Sequence, residues 1–344
     1  MQGKMKFKVA VVILNWNGER FLKQFLPNVI SCSRAEGVGV FVADNGSTDG
    51  SLALLDNDFK EVIQIRLDRN YGFAEGYNRA LQQIDSEYFV LLNSDVEVTE
   101  GWLNPLINFM DLHPSAAGCA PKIMDYSRRQ YFEYAGAAGG YIDKHGYPFC
   151  RGRILSEIEV DNSQYDNISE TFWASGACMF VRASMYLKLG GLDDRFFAHM
   201  EEIDLCWRFH NNGYSVWCVP ASKVFHVGGG TLPNNNPHKL YLNYRNSLYM
   251  LHKNLHPSEL FGVIFFRLVL DGLSAMAYVA TLKFAYVKAV FRAHIHYYRS
   301  VKVLNLHRKS TKFLRLQQIP QIYSKSILLQ FFLFRHRKFS QLKF

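Results

Sequence analysis

No G-x-G-x-x-G turn and no Walker A sequence occurs in these 344 residues, so the usual dinucleotide and NTPase fingerprints are missing. None of the cysteines (Cys32, Cys119, Cys150, Cys178, Cys206, Cys218) forms a C-x-x-C pair. Several lie in apolar runs and read as buried reduced thiols, which suits a cytosolic protein. The N-terminus, MQGKMKFKVAVVILNWNG, lacks a small-residue cleavage site and reads as a first β-strand, not a signal peptide. The longest apolar stretch is broken by Arg267, Asp271 and Lys283, short of the roughly 20 apolar residues of a spanning helix. Internal repeats and low-complexity tracts are absent. Acidic residues nearly vanish late in the chain: from Lys239 onward 18 Lys and Arg face only Glu259 and Asp271, a charge of +16, while residues 1–238 carry −7. An acidic body with a basic tail points to two functions in one chain.

What remains is a folded globular protein, with 49% hydrophobic and 20% charged residues, long enough for one large domain or two. Lys8 to Leu14 is a β-type run covered on both faces. Gly18 to Cys32 has the helical spacing Phe21, Leu22, Phe25, Leu26, Val29. Val38–Ala43 and Glu61–Leu67 read as strands, Leu52–Leu55 as a helix capped by Ser47 or Thr48, Phe73–Ile84 as a helix and Tyr88–Leu92 as a fourth strand. The alternation predicts an α/β fold with a mostly parallel sheet flanked by helices. Ligands of such sheets sit beyond the strand C-termini. Three of those ends are polar: Asn15-Trp16-Asn17-Gly18, Asp44-Asn45-Gly46-Ser47 and Asn93-Ser94-Asp95. Residues 125–170 show no periodicity and read as short strands with a mobile loop.

Asp95 taken alone is a turn former or cap. Beside a nucleotide diphosphate it becomes a handle on a hard cation, which prefers carboxylate oxygen. Asp44 can accept from a ring N–H of uracil or thymine, with Asn15 and Trp16 flanking the base. Gly72 and Gly76 either admit a ligand or serve a tight turn and helix packing. Glu201-Glu202-Ile203-Asp204 opens a helix, with Asp204 and Arg208 spaced as an i,i+4 pair. Their apolar neighbours and mutual repulsion raise a carboxylate towards the range of a general base. His226, before Gly228-Gly229-Gly230, is either a structural histidine or the completion of a metal site begun by Asp95.

The segments VVILNWNG, VADNGSTDGS, NYGFAEGYNRA, LLNSDVEV, ASGACMFVRA, FFAHMEEIDLCWR and VFHVGGGT, in order across residues 8–232, resemble glycosyltransferase family 2. The likeness is greatest to its rhamnosyltransferase-type members of bacterial surface polysaccharide synthesis. The resemblance implies a Rossmann-like GT-A fold and single-displacement, inverting sugar transfer from a UDP- or dTDP-sugar to a hydroxyl of a glycan acceptor held on a lipid diphosphate carrier. It implies that Asp44 binds the base with Asn15 and Asn45 nearby, and that Asn70, Gly72, Asn78, Asn93 and Ser94 line the nucleotide sugar. Asp95 and His226 would hold Mg²⁺ or Mn²⁺, Glu202 would be the base, and Glu201, Trp173 and Arg208 would face the acceptor. Asn93 departs from the family's D-x-D motif, leaving Asp95 its sole carboxylate, and Glu202 replaces the Asp of the family's E-D pair. A nucleotidyltransferase and a sugar-nucleotide-binding scaffold subunit are the alternatives.

Residues 1–238 are thus expected to form the catalytic domain, its nucleotide half ending near residue 100. Residues 239–344 are expected to form basic amphipathic helices on the cytoplasmic face of the bacterial inner membrane, with cationic residues among the headgroups. Nucleic acid is not an expected partner, because the body is acidic. No Q-x-x-R-W sequence occurs, so one sugar per encounter is expected.

Overall fold

The computed structural model describes residues 7–228, 236–309 and 311–344. The basic start MQGKMK and the Gly229-Gly230-Thr231 part of VFHVGGGT lie outside the described residues. The chain runs β1 (Phe7–Asn15), α1 (Glu19–Cys32), β2 (Val38–Asn45), α2 (Ser51–Asp58), β3 (Ile63–Leu67), α3 (Gly72–Leu81), β4 (Ser86–Leu92), β5 (Val96–Val98), α4 (Leu103–Leu112) and β6 (Ala116–Asp125). Four short strands follow, β7 (Gly140–Asp143), β8 (Pro148–Cys150), β9 (Arg153–Ile154) and β10 (Glu157–Ile158). Then come β11 (Ser169–Thr171), β12 (Cys178–Arg182), α5 (Ala183–Lys188), α6 (Glu201–Asn211) and β13 (Ser215–His226). The last part is α7 (Pro237–Asn254), α8 (Pro257–Ala280), α9 (Phe284–Arg308), β14 (Ile322–Tyr323) and α10 (Ile327–Phe332).

Successive side chains of a strand point to opposite faces, so an apolar run serves two cores. In β1, Val9, Val11 and Ile13 enter one core while Ala10 and Val12 enter the other. α1 covers one face with Leu22, Phe25, Leu26 and Val29, an i, i+3, i+4, i+7 stripe. Among the described residues the main sheet has the order β11-β13-β6-β12-β4-β1-β2-β3, with β5 on β13. The expected parallel pairing holds for β3-β2-β1-β4. Beyond β4 the sheet is mixed: β12 is antiparallel to both neighbours, as are β11 and β5 to β13. The predicted cap of α2 is also different. Ser47 Oγ accepts from Asn17 N and Asn15 Nδ2, and Asp49 Oδ1 accepts from Ser51 N instead.

Residues 125–170 hold the expected short strands, β7–β10 and β11. A second sheet, β10-β9-β8-β7-β14, takes its last strand from the far end of the chain. Tyr141, Phe149 and Ile154 of this sheet share a core with Tyr323, Ile327, Phe331 and Leu342. Lys253 Nζ of α7 lies 2.7 Å from Asp204 Oδ2 and 2.5 Å from Asp193 Oδ2. Asn254 donates to the other oxygen of Asp204 at 2.8 Å. Residues after 238 therefore complete the body as well as extending it.

By length and composition one described helix, α8, is long and apolar enough to cross a membrane. Its charges do not face outward as expected. Arg267 donates to Ser247 Oγ (2.8 Å) and His145 O (3.2 Å), and Asp271 lies 3.0 Å from His294 Nε2. Phe261, Phe265, Leu268, Leu273 and Met276 form the exposed stripe instead. Five of the six cysteines are buried and Cys32 is partly so; all are free.

Candidate active site

β4 delivers Asn93-Ser94-Asp95 at its C-terminal end, and the next strand carries it to a partner. β5 pairs antiparallel with the end of β13, placing His226 opposite Val96. His226 Nε2 thereby stands 3.2 Å from Asp95 Oδ1, both residues being buried. Asn93 Nδ2 is 3.5 Å from the same nitrogen. The far edge of the ring, Nδ1, lies 3.3 Å from Glu133 Oε1. Burial pulls the imidazole pKa down, but Asp95 and Glu133 outweigh it and raise it to about 10. The ring lies between two carboxylates.

Two ligands in adjacent positions of an octahedron with bonds of about 2.1 Å lie about 3.0 Å apart. Asp95 Oδ1 and His226 Nε2 match that span, and a divalent cation in place of the Nε2 proton keeps the local charge in balance. Glu133 on Nδ1 is the outer carboxylate that orients a metal-binding imidazole. Among the described residues no group of three or more His, Cys, Asp or Glu is arranged to hold a metal alone. The pair fits a cation that takes its other ligands from a substrate. Sequence reasoning missed Glu133; its signal was a lone acid in the aromatic run Tyr131-Phe132-Glu133-Tyr134.

The acidic helix α6 starts from an unusual backbone. Phe197, His199 and Met200 have φ of +65°, +71° and +73°, a region L-residues seldom enter. Asn246 of α7 holds this stretch, donating from one amide nitrogen to the carbonyls of Phe196 (3.0 Å), Ala198 (2.8 Å) and His199 (2.7 Å). Arg245 Nη2 adds bonds to the carbonyls of Arg195 and Phe196. Glu201 is buried and Glu202 partly exposed. Each has an Oε2 atom that is buried without a partner. Burial raises Glu202 to about 7. Burial and the neighbouring Glu202 push Glu201 well above the usual carboxylate range. The helix start is not solvated, and burial brings the more accessible acid of the pair to about 7. The turn Ser175-Gly176-Ala177 links this helix to the metal motif. Asn93 N–H donates to Ala177 O at 3.0 Å, and a methyl on Gly176 would lie 4.0 Å from Glu202 Cβ.

The nucleotide side is a lattice of short polar chains at the ends of β1 and β2. Asp44 Oδ1 accepts from Ser47 N (2.9 Å) and Oδ2 from Asn15 Nδ2 (3.1 Å). Each carboxylate oxygen keeps a further lone pair. Trp16 stands exposed beside them. Asn45 accepts from Tyr71 N and donates to Gly72 O and Asn70 Oδ1; Asn70 Oδ1 also accepts from Gly72 N. Gly72 has φ +78°, and a methyl there would come 2.6 Å from the Phe197 ring. A methyl on Gly76 would meet Asn45 Nδ2 and Leu14 at 3.0 Å. Of the two readings of these glycines, the turn-and-packing one accounts for both.

Residues 10–173 match the sequence model of Glycosyl transferase family 2. The chain carries a glycosyltransferase family 2 domain over those residues. It is similar to the N-acetylglucosaminyl-diphospho-decaprenol L-rhamnosyltransferase of Mycobacterium tuberculosis, 25% identical over 232 residues that cover 63% of this chain and 75% of that protein. Its fold is similar to a crystal structure of GalNAc-T7 with UDP, GalNAc and Mn²⁺, with TM-score 0.58 and 14% identity, covering 73% of this chain and 48% of the other. It is also similar to the mannosyltransferase PcManGT from Pyrobaculum calidifontis in complex with GDP-Man and Mn²⁺, with TM-score 0.53 and 11% identity, covering 85% and 87%. The chain thus spans about half the length of the GalNAc-T7 structure and most of the mannosyltransferase. The GT-A expectation for this glycosyltransferase stands.

Three residues expected to face substrates of this family 2 enzyme have other occupations. Asn78 donates to Leu192 O (2.6 Å) and accepts from Leu192 N and the Tyr186 hydroxyl. Trp173 is buried and its indole N–H donates to Tyr141 O at 3.0 Å. Arg208 bonds Asp204, Leu189 O and Gly191 O. Their polar groups hold the scaffold behind the site. Asn93, Ser94 and Glu202 are partly exposed while Asp95 and His226 are buried, and Asn246 was missed because it sits far along the sequence from the loop it holds.

Proposed function

We propose that this glycosyltransferase transfers a sugar, with inversion, from a UDP- or dTDP-sugar to a hydroxyl of a lipid-linked glycan. The observation that carries this is the side-by-side placement of Asp95 and His226, joined through the Asn93–Ala177 bond to the turn that runs past Glu202. Asp44, braced by Asn15 and Ser47, accepts from the ring N–H of the base. Asn45, Asn70 and Gly72 fix the loop that borders the nucleotide. Asp95 and His226 are the ligands offered to Mg²⁺ or Mn²⁺. When bound, the metal supplies neutralisation of the charge that builds on the departing nucleoside diphosphate. Glu202, with its proton affinity near neutrality, takes the proton from the acceptor hydroxyl as that oxygen attacks the anomeric carbon. Glu201, its proton affinity raised by burial and by Glu202, stands beside it and faces the acceptor. Trp173, Arg208 and Asn78 hold the walls of the site.

The Mycobacterium tuberculosis relative is named for an acceptor carried on a diphospho-polyprenol. We assign the same class to this chain, and with it a place on the cytoplasmic face of the membrane. The exposed apolar stripe of α8, with the basic residues of α9 beside it, supports peripheral attachment. The test is a product assay with UDP- and dTDP-sugars, Mg²⁺ or Mn²⁺ and sugar-diphosphate-lipid acceptors. Release of nucleoside diphosphate with an inverted anomeric centre is expected. Release of inorganic pyrophosphate, a retained configuration, or donor binding without turnover would each refute it.

A further inference from the structure

Of the five buried Lys and Arg among the described residues, three lie beside carboxylates. Lys122 meets Asp161 and Asp166, Lys253 meets Asp193 and Asp204, and Arg267 lies near Asp271. Arg151 spends its N–H groups on the carbonyls of Ala138, Tyr165 and Asn167. Arg153 of β9 differs. It is 5% exposed, yet among the described residues it forms no ion pair. Its Nη1 donates to Leu155 O at 3.3 Å, its Nη2 reaches only the weak acceptor Cys150 Sγ at 3.3 Å, and its Nε is buried with no partner. A guanidinium carries five N–H donors, so most of its capacity is idle. An unpaired buried charge costs free energy that a scaffold does not keep without a use.

Its position suggests the use. The ring of Tyr134, half exposed at the surface, lies 4.5 Å from the guanidinium carbon and marks the way in. Cys150, in contact with Arg153, is near enough to both Glu133 and Glu202 for their charges to act on its thiol. Tyr134, which covers Arg153, follows Glu133 in the chain, so Arg153 lies near the outer carboxylate of the metal pair, on the side formed by the small sheet. Its planar fork matches phosphoryl oxygens. The diphosphate of a nucleotide sugar would have a partner of its own in a divalent cation held by Asp95 and His226, taking that cation's remaining coordination positions. The diphosphate of a lipid-linked acceptor brings negative charge with no partner at that pair.

We propose that Arg153, with Tyr134 over it, is the subsite for the diphosphate that joins the acceptor sugar to its lipid. This rests on the reading of the chain as a transferase acting on such acceptors. Both sources of diphosphate share one chemistry, and the subsite is assigned to the acceptor's because the donor's has its partner elsewhere.

The experiment uses the full chain with its metal and donor, and two acceptors with the same sugar: α-GlcNAc diphosphate on a short isoprenoid chain, and α-GlcNAc octyl glycoside. Wild type is expected to prefer the diphosphate acceptor by about 10- to 100-fold in kcat/KM, the range of hydrogen bonds to a charged group. In Arg153→Met that preference collapses towards one, with the KM for donor unchanged; Arg153→Lys keeps part of it. If Arg153→Met does not fold, as judged by its melting curve, Arg153→Lys decides, and it must lose at least threefold of the preference. Equal use of both acceptors by wild type overturns the subsite alone. So does a variant that loses both acceptors equally, or one whose defect appears in the KM for donor, which would move Arg153 to the donor diphosphate. Donor turnover with no transfer to either acceptor overturns the assignment of acceptor class, and the subsite with it.

Discussion

The two sides of this active site are built on opposite principles. On the nucleotide side most polar groups, Asn15 Oδ1 excepted, are spoken for: Asp44, Asn15, Ser47, Asn45 and Asn70 bond one another and the loop backbone over short distances. On the acceptor side the charged groups are buried and underused: Glu201, Glu202 and Arg153 each keep a buried polar atom without a partner. A satisfied lattice is rigid and suits a ligand common to a large family. Unsatisfied buried charge is expensive to hold and waits for one substrate. The price is met by long-range ties, above all from α7.

The contrast can be broken or sharpened by five measurements. The largest effect is expected from Glu202→Gln, which should lose about 10²- to 10⁴-fold in kcat, the usual worth of a general base, while donor affinity by calorimetry stays within a few-fold. Near wild-type turnover would remove Glu202 from its role. Glu133→Gln should weaken metal activation about 10- to 100-fold, as loss of an outer carboxylate commonly does, seen as a rightward shift in a Mn²⁺ titration of activity. Asn246→Ala comes next, with about a tenfold fall in kcat from a displaced base, a typical loss for one mispositioned group, and little change in the KM for donor. A fall in donor affinity instead would mean that the two sides are not separable.

The fourth measurement is pH. Glu202 must be ionised to act, so kcat should fall tenfold per unit below about pH 7 and level off above it. Stability runs the other way. Its folded pKa, about 7, is raised above the unfolded value, so its contribution is full below about pH 4.5 and lost as pH rises through 7. Glu202→Gln should therefore melt higher than wild type at pH 8, with the gap closing at pH 5. The smallest effect on chemistry is expected from Phe261→Ser, Phe265→Ser and Met276→Ser together. Turnover of a water-soluble acceptor should stay within about twofold, as for surface changes far from a site, while flotation with anionic vesicles is lost. Retained flotation would remove α8 from the membrane surface.

The same contrast governs what could be read from the sequence. The nucleotide half is made of local pieces: strand, turn, helix, each with its own period and cap, so β1, α1, β2 and β4 were legible to within a residue or two. Asp95 and His226 were legible as a pair through the family motifs, although only the β5–β13 register explains their meeting. The acceptor half was not, because its elements have distant partners. β7 reads as a loop until β14, some 180 residues later, lies beside it. Arg267 and Asp271 look like interruptions of a membrane helix until His145, Ser247 and His294 are placed around them. The three left-handed residues before Glu201 leave no mark in composition, and nothing near them names Asn246 as their support.

The pairing of β14 with β7 also sets a schedule for synthesis. A ribosome finishes everything needed to grip a nucleotide long before residues 322 and 323 emerge to close the small sheet. A nascent chain would therefore acquire its donor site early and its acceptor wall last, so that a half-made enzyme could hold an activated sugar without anything to give it to.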